Sequence, residues 1–224
     1  MFLMVRALLA CLACLALFCV GVAEAKPAGA TPGIIRVRLV TSSGSFVVAL
    51  DARKAPLTTR NFMAYVDDGR FDGTTFYRAA RRKSAPKMGL IQGGIDTNTR
   101  RSLPPVKHEP TTQTGIKHTD ATISMARGGK PGSAMGNFFI TIGPIISMDA
   151  SGAYAGYAAF GHVVSGMDAV RKILALPTGG GTGPMRGQMI LRPVQIIKAE
   201  RLDGVAKPTG QPKPWLLGVP KRKP

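Results

Sequence analysis

Thr74-Thr75-Phe76-Tyr77-Arg78, Ile91-Gln92-Gly93-Gly94, Ser124-Met125-Ala126 and Asn137-Phe138-Phe139-Ile140 follow one another in that order through the middle of the chain. They fall within a series of short β-like runs at 74–78, 89–92, 121–126, 138–142 and 158–164. Upstream, Ile35-Arg36-Val37-Arg38-Leu39 alternates strictly and reads as a half-buried strand. Thr41-Ser42-Ser43-Gly44 is turn chemistry, and 45–50 is the return strand of a hairpin. Pro56 then suits the first turn of a helix, with Phe62, Tyr65 and Val66 at helical spacing and Gly69 as its stop. Downstream, Met167, Val170, Ile173 and Leu174 give a second helix one apolar face, with Ser165 as N-cap and Asp168 three residues on. The Gly/Pro-rich stretch 177–187 reads as a loop, and 191–199 as a closing strand that Pro193 makes irregular at its start. Many short strands and two helices fit a helix-capped barrel, but the pattern by itself does not choose that over a β-sandwich.

The 224 residues are enough for one domain with a real core. Arg6, the apolar run 7–20 and Ala23-Glu24-Ala25 read as a secretory signal peptide, residues 1–25, cleaved to leave Lys26 first. The run is shorter than the ~20 residues of a spanning helix. All three cysteines, Cys11, Cys14 and Cys19, lie in that leader, so the mature chain has no disulfide, thiolate metal site or cysteine nucleophile. Residues 26–33 form a flexible lead-in, 34–202 the folded domain, and 203–224 a basic Pro/Gly-rich tail expected to be extended. Lys and Arg number 30 against 12 Asp and Glu, a formal charge of +18. Such a surface attracts anions. An export signal argues against nucleic acid, leaving a generally cationic soluble surface or weak association with an anionic envelope surface. The expected localisation is periplasmic or secreted, and the expected state a monomer.

The ordered segments resemble those of the cyclophilins, the peptidyl-prolyl cis-trans isomerases, from about Ile35 to about Glu200. Ala55-Pro56, Asn61-Phe62 and Phe71-Asp72-Gly73 also sit where that family carries similar residues, and Pro105–Glu109 and Ala121–Arg127 are similar to its bacterial branch. The resemblance implies a mainly β fold, a closed antiparallel eight-stranded β-barrel capped by two α-helices. It implies a cofactor-free isomerase whose partners are proline-containing polypeptides.

Rotation of an X-Pro bond crosses a barrier of ~18–20 kcal/mol because the amide nitrogen shares its lone pair with the carbonyl. No bond breaks, so a catalyst need only favour the twisted amide over both planar forms. A guanidinium aimed at the prolyl nitrogen, donors on the carbonyl oxygen and an apolar wall for the ring would do this. The resemblance places Arg78 as the guanidinium, Gln92 on the substrate backbone, Phe139 as the pocket floor and Ala126 in the peptide groove. Two adjacent phenylalanines on a strand face opposite ways, so Phe138 and Phe139 can divide between core and groove. The departures fall around the pocket. Gly89 stands where the family has an aromatic, which leaves Met88 or Leu90 as the wall opposite Phe139. Arg127 replaces an asparagine, Asn137 a glutamine and Tyr157 a histidine, and the loop between Arg78 and Gln92 is lengthened by Arg81-Arg82-Lys83. The thinned pocket keeps open a non-catalytic peptide-binding or chaperone module.

Other chemistries fit poorly. Gly179-Gly180-Gly181-Thr182-Gly183 lacks the Gly-Lys-Ser/Thr of a phosphate loop. His108, His118 and His162 have no metal-type spacing. His118, Asp120 and Ser124 suggest a hydrolase triad, but no nucleophile elbow accompanies them.

Overall fold

Ile34–Thr41 (β1) and Gly44–Asp51 (β2) form the hairpin that alternation predicts, paired from Ile34 opposite Asp51 to Thr41 opposite Gly44. Val37, Leu39, Phe46, Val48 and Leu50 are its buried side. The structure, a computed structural model, describes residues 33–217. The leader with its expected cleavage point, the lead-in up to Pro32 and the basic end at Lys221–Lys223 lie outside the described residues.

Helix α1 spans Pro56–Asp67 with Pro56 in its first turn, and its N-cap residue Ala55 offers no side-chain cap. The cap comes from a distant part of the chain. Buried Glu109 accepts from the backbone N–H of Leu57 (3.1 Å) and Thr58 (2.7 Å) and from the Thr58 hydroxyl (2.6 Å). A carboxylate there satisfies orphan donors at the positive end of the helix.

Thr75–Arg82 (β3), Ala85–Gly94 (β4), the single turn Thr111–Thr114 (α2), Thr122–Met125 (β5), Asn137–Ile142 (β6) and Ala159–Ser165 (β7) follow. Met167–Leu174 (α3), Thr178–Gly179 (β8) and Met189–Arg201 (β9) complete the order. Eight strands close in the sequence β1-β2-β7-β5-β6-β4-β3-β9, and antiparallel pairing of β1 with β9 seals the ring. The fold is therefore the closed barrel and not a sandwich. The short β8 pairs on the outer side of β9. Helix α1 packs on β2 and β9, and α3 on β2, β3, β4 and β6. Inside, Phe138 meets Phe62 and Phe76 edge-on at 5.3 and 5.6 Å, and Phe71 and Phe160 also pack on Phe62.

Four local expectations change. The stretch between Arg78 and Gln92 is not a loop. It is a hairpin extension that turns at Lys83-Ser84. Its β3 arm reads Ala79-Ala80-Arg81-Arg82, of which only Ala79 is buried, so no apolar run marks it. Arg81 anchors it by donating to the carbonyls of Leu174 and Leu176 and to the Thr178 hydroxyl. Ser165 does not cap α3. It ends β7, and Gly166 takes the cap position at φ +81°. A Cβ there would lie 2.4 Å from the Ser45 carbonyl oxygen, so only glycine fits. The third change is α2, an added one-turn helix beyond the two expected. Finally, the stretch 177–187 contains β8 and a 3-10 turn at Gly183–Met185.

Beyond β9 the chain lies along the domain. Asp203 pairs with Arg36 at 2.7 Å, and Thr209 donates to Asp68. The Arg70 and Arg101 guanidinium carbons stand 4.8 and 5.2 Å from the Trp215 ring centre.

Candidate active site

The site begins with one extra residue in β3. Phe76 lies opposite Gly93 of β4, and the next partners are Arg78 and Gln92, so Tyr77 is unpaired. The register against β9 slips at the same place, from Val194 opposite Phe76 to Met189 opposite Arg78, and Pro193 lies in the slipped stretch. In a regular strand Phe76 and Arg78 would share a face. The bulge changes that parity: Phe76 points into the core while Arg78 joins the outer face. From there one row of opposed residues crosses four strands, Arg78–Gln92–Phe139–Ser124.

Two neutral amides hold the Arg78 guanidinium. Nη1 donates to Gln92 Oε1 at 2.8 Å, while Nε and Nη2 donate to Gln188 Oε1 at 2.9 and 2.7 Å. Gln92 Nε2 donates in turn to the Tyr77 hydroxyl at 2.8 Å. Burial lowers Arg78 from the ordinary arginine value, yet a guanidinium stays charged. Burial pushes the Tyr77 phenol up to about 12, against the Gln92 hydrogen bond, so Tyr77 keeps its proton.

Phe138 and Phe139 divide as adjacent strand residues must. Phe138 belongs to the aromatic core, and Phe139 faces the other way. The Phe139 ring stacks on His118 at 5.7 Å and 15° and meets Tyr157 edge-on at 5.5 Å. The Arg127 guanidinium carbon lies over the Tyr157 ring, 4.9 Å from its centre, beside a hollow of about 570 Å³ shared with Tyr154 and Pro131. A second groove of about 280 Å³ is lined by Tyr77, Gln92, Ala126, Asn137, Met185 and Met189. The Asn137 amide is tied to Asp96 in both directions, donating to its carbonyl at 2.9 Å and accepting from its N–H at 2.7 Å. Leu90, two residues from Gln92, shares the Phe139 face and is buried. Met88 lies further along, over Gly143, where a Cβ would come within 2.9 Å of its methyl.

Gly89 explains the missing aromatic. Its φ is +147°, and a Cβ would sit 2.0 Å from the Ala80 carbonyl oxygen. A side chain at this position has no room beside β3.

The sequence pairs His118 with Asp120, but the fold pairs it with Asp149. His118 Nδ1 lies 2.7 Å from Asp149 Oδ1, and Nε2 lies 3.0 Å from Ser124 Oγ. Asp120 instead accepts from the Gly143 N–H at 2.7 Å. This Asp–His–Ser chain has triad connectivity, but Ser124 and His118 are fully buried. No substrate carbonyl reaches the hydroxyl, and the chain serves as backing for Phe139. Burial lowers the His118 imidazole below its ordinary value despite the Asp149 hydrogen bond, which fits a neutral ring under Phe139.

The sequence reading gives no role in the site to Gln188, Tyr77, Met185, Met189 or Asp149. Gln188 stands 110 positions from Arg78. It follows a glycine-rich stretch with no periodicity, so no local signal marks it. The bulge at Tyr77 has none either, because Phe-Tyr-Arg reads equally well as regular strand.

Comparison with known proteins fits this geometry. Residues 36–201 match the family model of the cyclophilin type peptidyl-prolyl cis-trans isomerase/CLD. A peptidyl-prolyl cis-trans isomerase of Acinetobacter baylyi is 35% identical over 166 residues, 73% of this chain and 84% of the relative. Peptidyl-prolyl cis-trans isomerase A of Dickeya dadantii is 35% identical over 180 residues, 77% of this chain and 90% of the relative. The crystal structure of a Cryptosporidium parvum cyclophilin type isomerase in the presence of the dipeptide Ala-Pro superposes with a TM-score of 0.60 at 20% identity, covering 75% of this chain and 99% of that one. With the barrel, the ordered motifs and these relatives in agreement, the chain belongs to the cyclophilin-type peptidyl-prolyl cis-trans isomerases.

Proposed function

We propose that this isomerase acts on X-Pro bonds of exported polypeptides, folding or mature, with Arg78 stabilising the twisted prolyl amide. The observation that carries the reading is the Arg78 guanidinium. It is held on the outer barrel face by two neutral amides, in one row with Phe139. In the twisted state the prolyl nitrogen becomes pyramidal and its lone pair free. A fixed cation beside it lowers that state and leaves the planar ones unaffected, which is how differential binding becomes rate. The geometry is preorganised because Gln92 and Gln188 hold the guanidinium before substrate arrives. Gln92 stands between Arg78 and Tyr77 and would orient the substrate backbone. Ala126 and Asn137 would line the path of the peptide, and Phe139, almost fully buried against His118 and Tyr157, would form the floor beneath the proline ring. Ala-Pro, the dipeptide that accompanies the Cryptosporidium parvum structure, is the kind of ligand this groove would accept.

Export rests on the leader, Arg6 through Ala25. A cleaved leader would put the substrates in the periplasm or outside the cell, where a cysteine-free mature chain would need no oxidative folding. The +18 charge would add weak attraction to an anionic envelope surface.

A second reading, a barrel that binds proline-containing chains without turnover, draws support from Gly89, where no aromatic can stand. A protease-coupled isomerisation assay on a short X-Pro peptide separates the two. Acceleration above the uncatalysed rate is expected, and binding without acceleration would leave only the module.

A further inference from the structure

We propose that Gln188 is a positioning residue for the isomerisation, holding Arg78 at the groove through a forked contact from the β8–β9 loop. The proposal rests on Arg78 being the group that acts on the prolyl nitrogen. Its first support is the direction of the amide. A guanidinium only donates, so the atom facing it must be the Gln188 oxygen. The same side chain's Nε2 donates to the Pro184 carbonyl at 3.0 Å, which agrees with that orientation.

The second support is the anchoring of Gln188 itself. Its backbone carbonyl accepts from the Ala79 N–H at 2.9 Å, so it is clamped to β3 beside Arg78. Its own N–H donates to the Met185 carbonyl at 3.0 Å, and the Met185 N–H donates to the Thr182 carbonyl at 3.0 Å. Gly181, at φ +75°, allows this winding, since a Cβ there would lie 2.4 Å from the Met185 carbonyl oxygen. The loop is thus a preformed bracket.

The third support is what the contact leaves available. Gln188 occupies the Nε–Nη2 edge and Gln92 one hydrogen of Nη1. One hydrogen on each terminal nitrogen remains for substrate. Both partners are neutral, so neither cancels the charge as a carboxylate would.

The test uses the full chain with Gln188→Ala, Arg78→Ala and the double variant. Each is assayed for kcat and KM on an X-Pro peptide, and the Arg78 Nε–H resonance is followed by ¹H–¹⁵N NMR. Gln188→Ala is expected to lower kcat about tenfold, less than the ~10²–10³ of a lost preorganised donor because Arg78 itself remains, with KM within about twofold. In the Arg78→Ala background it should cost nothing further, and the Nε–H signal should broaden or move. Wild-type kcat in Gln188→Ala, or an equal loss in the Arg78→Ala background, overturns the proposal. If the wild-type chain shows no isomerase activity, the reading of the site fails. The resonance then decides the contact alone, and an unchanged Nε–H in Gln188→Ala overturns it. Gln188→Met, of similar length, replaces the alanine variant should that fail to fold.

Discussion

Arg78 carries its charge between Gln92 and Gln188, so its removal should act on rate more than on stability. Arg78→Ala is expected to lower kcat/KM at least tenfold, toward the ~10²–10³ typical of a lost preorganised donor. Its melting temperature should stay close to that of the parent. Lysine should not rescue, because an ammonium cannot span both amides. An isomerase rate measured beside a melting curve checks both statements, and a wild-type rate in Arg78→Ala would end the assignment. Phe139 differs because it is buried, 2% exposed, between His118 and Tyr157. Phe139→Ala should weaken peptide binding and also cost ~3–5 kcal/mol, the usual range for a buried phenylalanine truncated to alanine. Denaturant unfolding reads the second effect and a peptide titration the first. At this scale the sequence reading names Gln92 as a site residue on the substrate backbone, not as a partner of Arg78. Gln92 stands next to Arg78 by strand pairing, whereas Gln188 arrives from a loop that no residue pattern ties to β3.

The β3–β4 hairpin holds both the long Arg78–Gln92 stretch and Gly89. Its extension runs to Lys83-Ser84 and is tied by Arg81 to the end of α3. The close approach of β4 to β3 at Gly89 rules out the aromatic at that position. Gly89→Phe should therefore damage the fold and not rebuild a pocket. A non-glycine residue in such a backbone region costs ~1–3 kcal/mol before the clash with Ala80 is counted. A melting temperature at or above the parent's, with tighter peptide binding, would refute this. The sequence identifies the substitution, but only the strand geometry explains it.

The acid side of stability is a property of the whole molecule. Burial holds His118 and His162 below their ordinary value of 6.5. Near pH 6 the unfolded chain therefore takes up protons that the folded chain refuses, and stability falls as pH drops through that value. The melting temperature should decline between about pH 7.5 and about pH 5.5, and His162→Gln should flatten part of the slope. A second loss belongs to lower pH. Burial pushes the Asp68 carboxyl up, but Thr209 and Arg70 pull it lower on balance, and the Arg36 hydrogen bond lowers Asp203. The stability these carboxylates contribute is present above their unfolded pKa and is lost as pH falls through their folded values, below about 4. The segment 203–217 shares in this network. Pro212 accepts from the buried Arg70 at 3.2 Å, and Trp215, the one tryptophan of the chain, lies against Arg70 and Arg101. Truncation after Gly204 should cost about 1–3 kcal/mol, the scale of hydrogen bonds to charged groups, and leave the isomerase rate of the folded fraction unchanged. Thermal unfolding of the truncated chain reads the first, and unchanged stability would show that the contacts contribute nothing.

Local chemistry was enough to mark the β1–β2 hairpin, the start of α1 at Pro56, the apolar face of α3 and the division of Phe138 from Phe139. Each follows from periodicity or from the fixed φ of one residue, which the neighbouring residues already contain. Closure of the barrel through β1 and β9, the Glu109 cap on α1, the Asp149 partner of His118 and the Gln188 bracket on Arg78 were decided only in three dimensions. The parity change at Tyr77 belongs with them, because a bulge exists only relative to the strands beside it. Hydrogen bonds and register depend on which surfaces meet once the core has collapsed. A residue's own neighbours along the chain do not encode which distant carboxylate or amide will stand within 3 Å of it.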